Sequence, residues 1–174
     1  MCNLRDLIQG PIAKRKRSKT QHLKPVAFVR MNTRHGKAKP TMVKALLDSG
    51  ASSSLIARRV VTKLRKYKTA SQTWSTPAGS LTTNETVKSQ FTLPELQDDK
   101  LIEWNLHVTE DLGAADMIIG RDLLEFLQID ILFSEMEVHW GSSVMPFKEA
   151  DASVSESYHV QDDGPLEESS ARIK

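Results

Sequence analysis

Asp48 is the residue whose type and surroundings best suit acid–base chemistry. It follows the apolar segment of residues 42–47 and begins the run Asp48-Ser49-Gly50-Ala51. A carboxylate that leaves an apolar strand for a tight turn is costly to bury unpaired, so another group must share or solvate its charge. Gly50 and Ala51 let one stretch of backbone pass close to another. The alternative is a simple strand-ending turn, because Asp and Gly are both common in turns.

The segments that would position Asp48 have the patterns of short strands. Residues 26–31 and 42–47 are predicted to form two strands, joined by a turn at residues 35–40. Residues 102–109 alternate apolar and polar side chains, which predicts a strand with one buried face. A short buried strand is predicted at residues 117–120.

The Thr- and Ser-rich residues 69–93 contain Pro77-Ala78-Gly79 midway, which is typical of a hairpin tip. Further strands are predicted at residues 129–133 and 136–140, with a third at residues 144–147.

Two segments have helical spacing. Residues 55–64 are predicted to form a short amphipathic helix whose apolar side chains are Leu55, Ile56, Val60, Val61 and Leu64. Residues 121–128 are predicted to form a second helix, in which Asp122 suits the positive N-terminal end. We interpret Asp122 as a helix-start residue and not as a catalytic one. Many short strands with one or two short helices predict an all-β, barrel-like domain over residues 25–147.

The two ends of the chain carry opposite charge. Residues 1–24 contain seven Lys and Arg against one acid, and residues 149–174 contain seven acids against two bases. We expect a basic disordered tail at residues 1–24 and an acidic, Ser-rich disordered tail at residues 148–174. The run Lys14-Arg15-Lys16-Arg17 is interpreted as a solvated linker, with nucleic-acid contact or nuclear import as the alternative.

Composition excludes several other classes of site and location. A single cysteine rules out an internal disulfide framework or a Cys-rich zinc site and fits a reducing compartment. The five histidines lack ligand spacing, and no Gly-x-Ser-x-Gly or phosphate-binding loop occurs, so neither a metal nor a cofactor is expected. No signal peptide or membrane-length apolar stretch is present. We expect an intracellular, cytoplasmic protein without a membrane partner, and the basic run leaves a nuclear location open.

Three segments together resemble a known family. Leu46-Leu47-Asp48-Ser49-Gly50-Ala51-Ser52-Ser53-Ser54-Leu55-Ile56 resembles the active-site segment of retropepsins, most closely the proteases of gypsy-type LTR retrotransposons. Asp116-Met117-Ile118-Ile119-Gly120-Arg121-Asp122-Leu123-Leu124 is similar to the supporting segment that packs under the active-site loop. Trp74-Ser75-Thr76-Pro77-Ala78-Gly79-Ser80-Leu81 looks like the flap hairpin. The resemblance covers about residues 25–147.

The resemblance implies a retropepsin-like acid protease barrel that functions as a two-fold homodimer. Two aspartates held close together cannot both ionise and therefore share one proton. One acts as general base on a water while the other hydrogen-bonds the scissile carbonyl. Bilobal relatives carry two Asp-[Thr/Ser]-Gly triplets in one longer chain, whereas this chain has one, so a homodimer would supply the second aspartate.

The resemblance also gives roles to neighbouring residues. Asp48 would be catalytic, and Ser49 would hydrogen-bond across the two-fold axis to the partner's loop. Gly50 and Ala51 would line the substrate floor. Arg121, next to the supporting residues Ile118, Ile119 and Gly120, would pair with acidic or backbone groups near the active-site loop and the partner chain. Its ionic partner is left open, since the two positions after Ala51 that are often acidic are Ser52 and Ser53.

The flap would close over bound peptide and exclude water, with Trp74, Thr76, Pro77, Ala78 and Gly79 as its residues. Trp74 is either a flap anchor or a packed strand aromatic. Trp104 and Trp140 are expected to pack in the core or an interface.

The function implied is an aspartic endopeptidase that cleaves extended segments of a retrotransposon polyprotein, including its own flanks. The alternative is a domesticated or inactive retropepsin-fold module that dimerises or binds peptides without turnover.

Overall fold

A computed structural model describes residues 23–33, 40–76 and 79–153 of the chain. Its elements are β1 (Leu23–Lys24), β2 (Val26–Met31), β3 (Thr41–Leu47), β4 (Leu55–Ala57), β5 (Lys66–Thr76), β6 (Gly79–Leu93), β7 (Gln97–Thr109), β8 (Met117–Ile119), α1 (Arg121–Leu127), β9 (Ile129–Leu132), β10 (Glu137–Trp140), β11 (Ser143–Pro146) and β12 (Lys148–Glu149). The predicted all-β class is confirmed.

The main sheet closes on itself as a barrel. Its strands lie in the order β2-β3-β8-β4-β7-β6-β5, and β6 also pairs with β2 through Arg30↔Thr92 and Met31↔Phe91. Because β6 reaches β2 only with its second half, its first half is left to pair with β5. Because the sheet is closed, none of its six barrel strands is an edge strand. The remaining strand, β5, extends from the barrel as one arm of a hairpin.

The core follows the period of two that the sequence predicts for half-buried strands. In β3, Val43, Ala45 and Leu47 are buried while the residues between them are partly exposed. The strand β2 is buried at five of its six positions because it lies inside the closed sheet. Trp140 is 5% exposed and lies in this core, and Trp104 packs against it, which confirms the expected packing of both.

The predicted hairpin within residues 69–93 is confirmed as the pair β5 and β6. The two strands are antiparallel from Lys66↔Val87 to Thr76↔Gly79, with a shift in register between Lys68 and Gln72. Pro77 and Ala78, the predicted tip, lie outside the residues that the structure describes.

The predicted helix at residues 55–64 is wrong. Leu55–Ala57 is a strand that pairs with β7 on one side and β8 on the other. The residues after it form successive turns, in which Val60 N–H donates to the Ala57 carbonyl and Leu64 N–H to the Val61 carbonyl, at 3.0 and 3.1 Å. Turns closed at three-residue spacing bring every third or fourth side chain inward, which imitates the helical pattern.

The second predicted helix is confirmed as α1, with Asp122 in its first turn and Leu123 and Leu124 buried. The three strands predicted after it are confirmed as β9, β10 and β11, which form a separate antiparallel sheet. Within the described part of the chain, no helix is long and apolar enough to cross a membrane.

A two-stranded ribbon joins the two ends of the described chain. Leu23 pairs with Glu149 and Lys24 with Lys148, so residues that the charge pattern placed in the tails belong to paired strands. Two residues are too few to show a strand period in sequence, which is why the pattern missed them. The run of residues 14–17 and residues 154–174 lie outside the described residues.

Candidate active site

The strand β3 delivers Asp48 to the edge of the barrel. Leu46 and Leu47 pair in parallel with Ile118 and Ile119 of β8. The Asp48 N–H continues this pairing and donates to the Ile119 carbonyl at 2.9 Å. The backbone of Asp48 is therefore fixed by the sheet before the chain turns.

The Asp48 carboxylate lies on a tight turn at a partly open surface. Its Oδ1 accepts the Gly50 N–H at 2.9 Å, and the Ala51 N–H donates to the Asp48 carbonyl at 3.1 Å. Asp48 is partly exposed, and Ser49 and Gly50 are exposed. The Ser49 hydroxyl makes no hydrogen bond to another residue in the described part of its own chain. The carboxylate is thus oriented by one backbone donor and remains accessible.

Gly120 lies directly against the loop formed by residues 48–54. A Cβ atom on Gly120 would stand 2.5 Å from the Ser53 carbonyl oxygen, a distance that Cβ atoms essentially never show, and 3.0 Å from that of Ala51. The next residue, Arg121, donates its backbone N–H to the Ala51 carbonyl at 2.8 Å. The two segments that the resemblance pairs therefore touch through backbone, and the contact requires glycine at this position.

Hydrogen bonds of a buried serine, Ser54, hold the end of the loop away from Asp48. The sequence did not reveal this contact. The Ser54 hydroxyl is fully buried, accepts the Gly120 N–H at 3.0 Å and donates to Asp122 Oδ1 at 2.8 Å. The other carboxylate oxygen, Asp122 Oδ2, accepts the Trp104 indole N–H at 3.2 Å. Since Ser54 and Asp122 are far apart in sequence, no local pattern signals their contact.

The Arg121 side chain does not reach the active-site loop within this chain. Its guanidinium lies 3.7 Å from the Glu125 carboxylate, one helical turn away, and both side chains are mostly exposed. Within the described part of the chain, only the backbone N–H of Arg121 contacts the loop, because α1 points the side chain outward. A contact to a partner chain stays a prediction.

The hairpin of β5 and β6 rests on the strand that flanks the loop. Trp74 packs edge-on against His107 of β7, with ring centroids 5.0 Å apart. The backbone N–H of His107 donates to the Ser54 carbonyl at 3.1 Å. Trp74 is thus a packed strand aromatic that also ties the hairpin to the body of the domain. Thr76 and Gly79 form the last pair of the hairpin.

The half-buried position of His107 affects its charge. Burial lowers the pKa of the imidazole below its ordinary value of 6.5, and the negative charge of Asp122 acts in the opposite direction. The Thr83 hydroxyl lies 3.4 Å from Nδ1. A half-buried neutral imidazole is therefore favoured next to the hairpin.

The comparisons with known proteins agree with this geometry. The model of the family described as retroviral aspartyl protease matches residues 21–132. The chain belongs to the retroviral aspartyl protease family. The strands that carry Asp48 and Gly120, β3 and β8, both lie within the matched range.

Two solved structures are similar to this chain. The retroviral protease-like domain of Ddi1 from Leishmania major is similar with a TM-score of 0.52 and 20% identity, over 75% of this chain and 98% of that one. The EIAV protease bound to the inhibitor HBY-793 is 20% identical with a TM-score of 0.47, over 67% of this chain and 99% of that one. A comparison with curated protein sequences finds no significant match. The retropepsin-like fold expected from the sequence is confirmed.

Proposed function

We propose that this member of the retroviral aspartyl protease family is an aspartic endopeptidase whose active site forms between two copies of the chain. The observation that carries the proposal is the setting of Asp48. Its loop is held by the Ile119 carbonyl, the Arg121 N–H and the Ser54 hydroxyl, yet its carboxylate is partly exposed and bonds to one backbone donor, that of Gly50. A rigid loop that presents an accessible carboxylate suits a site completed from outside the chain.

The chemistry requires one Asp48 from each copy. Two carboxylates at close range share one proton, and their titration belongs to the pair. The ionised member takes a proton from water, whose oxygen attacks the carbonyl carbon, while the protonated member hydrogen-bonds the carbonyl oxygen. The C–N bond of the resulting tetrahedral adduct then breaks as a proton passes to the amine nitrogen, which leaves one carboxyl and one amine product.

The neighbouring residues have supporting roles in this proposal. The exposed hydroxyl of Ser49 would bond across the two-fold axis to the partner's loop. Gly50 and Ala51 would offer backbone groups to an extended peptide. Ile118, partly exposed next to Leu46, would contact the bound chain near Asp48. Ile119 and Gly120 would support the loop from below.

The hairpin of β5 and β6 would act as the flap. Its tip, including Thr76, Pro77, Ala78 and Gly79, would close over the peptide and exclude water. Trp74 would anchor the base of the flap on β7 through His107.

The substrate we propose is a retrotransposon polyprotein, of the gypsy type that the sequence motifs resemble. The protease domain would occupy residues 25–147, together with the terminal ribbon, and the charged tails would serve as spacers to neighbouring parts of the polyprotein. Processing would take place inside the cell, in the cytoplasm.

A second candidate is a domesticated module that keeps the fold without turnover. The observation that favours it is the likeness to a protease-like domain of Ddi1 from Leishmania major, which is a protein of a cellular organism. In that case the chain would dimerise or hold extended peptides with Asp48 unused.

A peptide-library assay separates the two candidates. The wild-type chain and Asp48→Asn would be incubated with mixed peptides between about pH 4 and pH 7, with and without a statine-type inhibitor. Cleavage by wild type alone, blocked by the inhibitor, is expected. Cleavage that survives the substitution would overturn the role of Asp48, and binding without cleavage by either protein would favour the module.

Mixing the two proteins tests whether the site is shared. If dimers exchange freely and each needs two intact carboxylates, a ninefold excess of Asp48→Asn lowers the activity per wild-type chain to about one-tenth. Unchanged activity per wild-type chain, with exchange verified by labelled subunits, would exclude a two-chain site.

A further inference from the structure

We propose that Asp122 is a positioning residue for Asp48, because one of its carboxylate oxygens holds the Ser54 hydroxyl at the end of the active-site loop while the other accepts the Trp104 indole N–H. This inference rests on the proposed function, since it concerns how well the loop presents Asp48. It assigns to Asp122 a task beyond starting a helix.

At Ser54 the direction of both hydrogen bonds, which group donates and which accepts, is determined. Its hydroxyl accepts the Gly120 N–H at 3.0 Å, so its own proton is free to point to Asp122 Oδ1, 2.8 Å away. Ser54 is 0% exposed, so water cannot replace either partner. A serine hydroxyl that accepts from a backbone amide needs an acceptor for its proton, or the buried group is left unsatisfied.

The second carboxylate oxygen of Asp122 also has a hydrogen-bond donor. It accepts the indole N–H of Trp104 at 3.2 Å, and an indole N–H can only donate. Two donors from two different elements, Ser54 before β4 and Trp104 in β7, therefore meet on one side chain at the start of α1. A carboxylate satisfies both because each oxygen is an acceptor.

Asparagine has the same shape but cannot satisfy both donors. With its oxygen toward Ser54, its amide N–H groups face the indole N–H of Trp104. With the amide flipped, Ser54 receives two donors and its own proton has no acceptor. In either orientation one donor faces another donor in a part-buried position. We expect this repulsion to displace Gly120 and the loop that touches it.

Removal of one donor should relieve this conflict. A groove of about 410 Å³ opens beside these residues, lined by Lys88, Glu103, Trp104, Asn105 and Asp122. In the variant Trp104→Phe the freed oxygen of Asp122 can bind water from this groove. In the double variant W104F/D122N the asparagine oxygen can face Ser54 while its amide donates to groove water.

The test compares wild type, D122N, W104F, W104F/D122N and S54A at protein concentrations where activity per chain is constant. Active sites are counted by titration with a statine-type inhibitor. Since small displacements of catalytic groups cost large factors in rate, we expect D122N to lower kcat about 10- to 100-fold with KM within about 2-fold of wild type. We expect W104F to stay within about 3-fold of wild-type kcat and the double variant to return to that level.

S54A supplies a second route if D122N does not fold. It leaves the Gly120 N–H without an acceptor, so kcat should fall in the same range. Trp104→Phe should not rescue S54A, since the indole is not the cause of its defect. Rescue of S54A by Trp104→Phe, or a double variant W104F/D122N worse than D122N, would overturn the inference. The second outcome would mean that the two substitutions add their losses of stability.

Hydrogen exchange of the Gly120 amide separates this inference from the proposed function. The exchange should be faster in D122N and return toward wild type in W104F/D122N. A wild-type chain that cleaves nothing but has this exchange pattern would overturn the proposed function alone. An active wild type with unchanged kcat per active site in D122N would overturn the positioning role alone.

Discussion

The indole of Trp74 lies edge-on against the imidazole of His107, with a centroid separation of 5.0 Å and an interplanar angle of 70°. This contact joins the hairpin of β5 and β6 to β7, where the backbone N–H of His107 donates to the Ser54 carbonyl. The hairpin and the active-site loop therefore share one residue of β7 as a neighbour. A change in the charge or packing of His107 should affect both.

The first prediction concerns the charge of His107. Because burial lowers its pKa below 6.5 in the folded chain, the unfolded chain binds the proton more tightly. His107 therefore contributes stability above pH 6.5 that is lost as the pH falls through its lowered folded pKa. We expect His107→Asn to flatten this part of the pH dependence of the free energy of unfolding, measured in urea.

Trp74→Ala should raise the pKa of His107 toward 6.5, because removal of the indole exposes the imidazole to water. The titration would be followed by NMR of the imidazole protons. Tyr67→Ala is the matched control, since Tyr67 lies on the same strand and is 48% exposed. An equal rise in both variants would mean that a general loosening of the hairpin, and not the ring contact, sets the pKa.

The second prediction concerns Gly120. In Gly120→Ala the new Cβ would meet the Ser53 carbonyl oxygen at 2.5 Å, and backbone on both sides must shift. We expect a loss of about 2 to 3 kcal/mol in the free energy of unfolding, with peptide cleavage reduced at least 10-fold in the folded fraction. Activity falls because a shift of Gly120 displaces the loop that carries Asp48.

Gly113→Ala is the control for that substitution. Gly113 has a φ of +63°, and a Cβ atom at this position would meet nothing within 4 Å beyond its chain neighbours. Alanine there therefore costs only backbone strain of about 1 kcal/mol. Cleavage per folded site should be unchanged. Equal loss of activity in the two variants would remove the argument that contact with the loop is what makes Gly120 necessary.

The sequence predicts the strands that form the site, because their apolar patterns are local. That the run from Asp48 to Ala51 lies against Ile119 and Gly120 was implied by the family resemblance, since the parallel pairing joins segments far apart in the chain. The Ser54 contact with Asp122 could not be predicted, because it joins residues 68 positions apart through side chains that each have a local explanation. A polar loop residue and an acidic helix start are both ordinary.

The failed helix at residues 55–64 has a similar physical cause. Periodicity records which side chains point inward, not which hydrogen bonds the backbone makes. In Leu55–Ala57 the backbone partners come from β7 and β8, far along the chain, and the Ala57 N–H donates to the Asp116 carbonyl at 2.9 Å. Tertiary pairing decided the structure of a segment whose local pattern favours a helix.

The third prediction compares two acids that hold Arg59. Asp111 and Asp116 both lie 3.1 Å from its guanidinium, but Asp116 Oδ2 also accepts the Lys44 N–H at 2.9 Å in a part-buried position. We expect Asp116→Ala to cost about 2 kcal/mol of unfolding free energy, since a backbone donor of β3 loses its partner. Asp111 also accepts a backbone N–H, that of Gly113 at 3.0 Å, but at an exposed position where water can replace it, so Asp111→Ala should change the urea midpoint little. Equal effects would mean that the part-buried position of the Lys44 contact adds nothing to stability.

The fourth prediction concerns the ion pair of Lys148 and Glu95, which fastens the terminal ribbon to β2. Their side chains are 13% and 16% exposed and 2.8 Å apart, Glu95 accepts the Phe28 N–H, and Lys148 donates to the Val26 carbonyl. Lys148→Met removes one charge and leaves the other part-buried, so we expect a loss of about 2 kcal/mol, measured by urea unfolding.

The matched control is the Lys88–Glu103 pair, which is as short at 2.7 Å but has side chains 58% and 46% exposed. Lys88→Met should leave the urea midpoint unchanged because water solvates the remaining carboxylate. Glu95→Gln should cost less than Glu95→Ala, since the amide oxygen can still accept the Phe28 N–H and satisfy the edge of β2. If Lys148→Met and Lys88→Met have the same effect, burial is not what makes the ribbon's anchor matter, and the ribbon must be held chiefly by its own backbone pairing between β1 and β12.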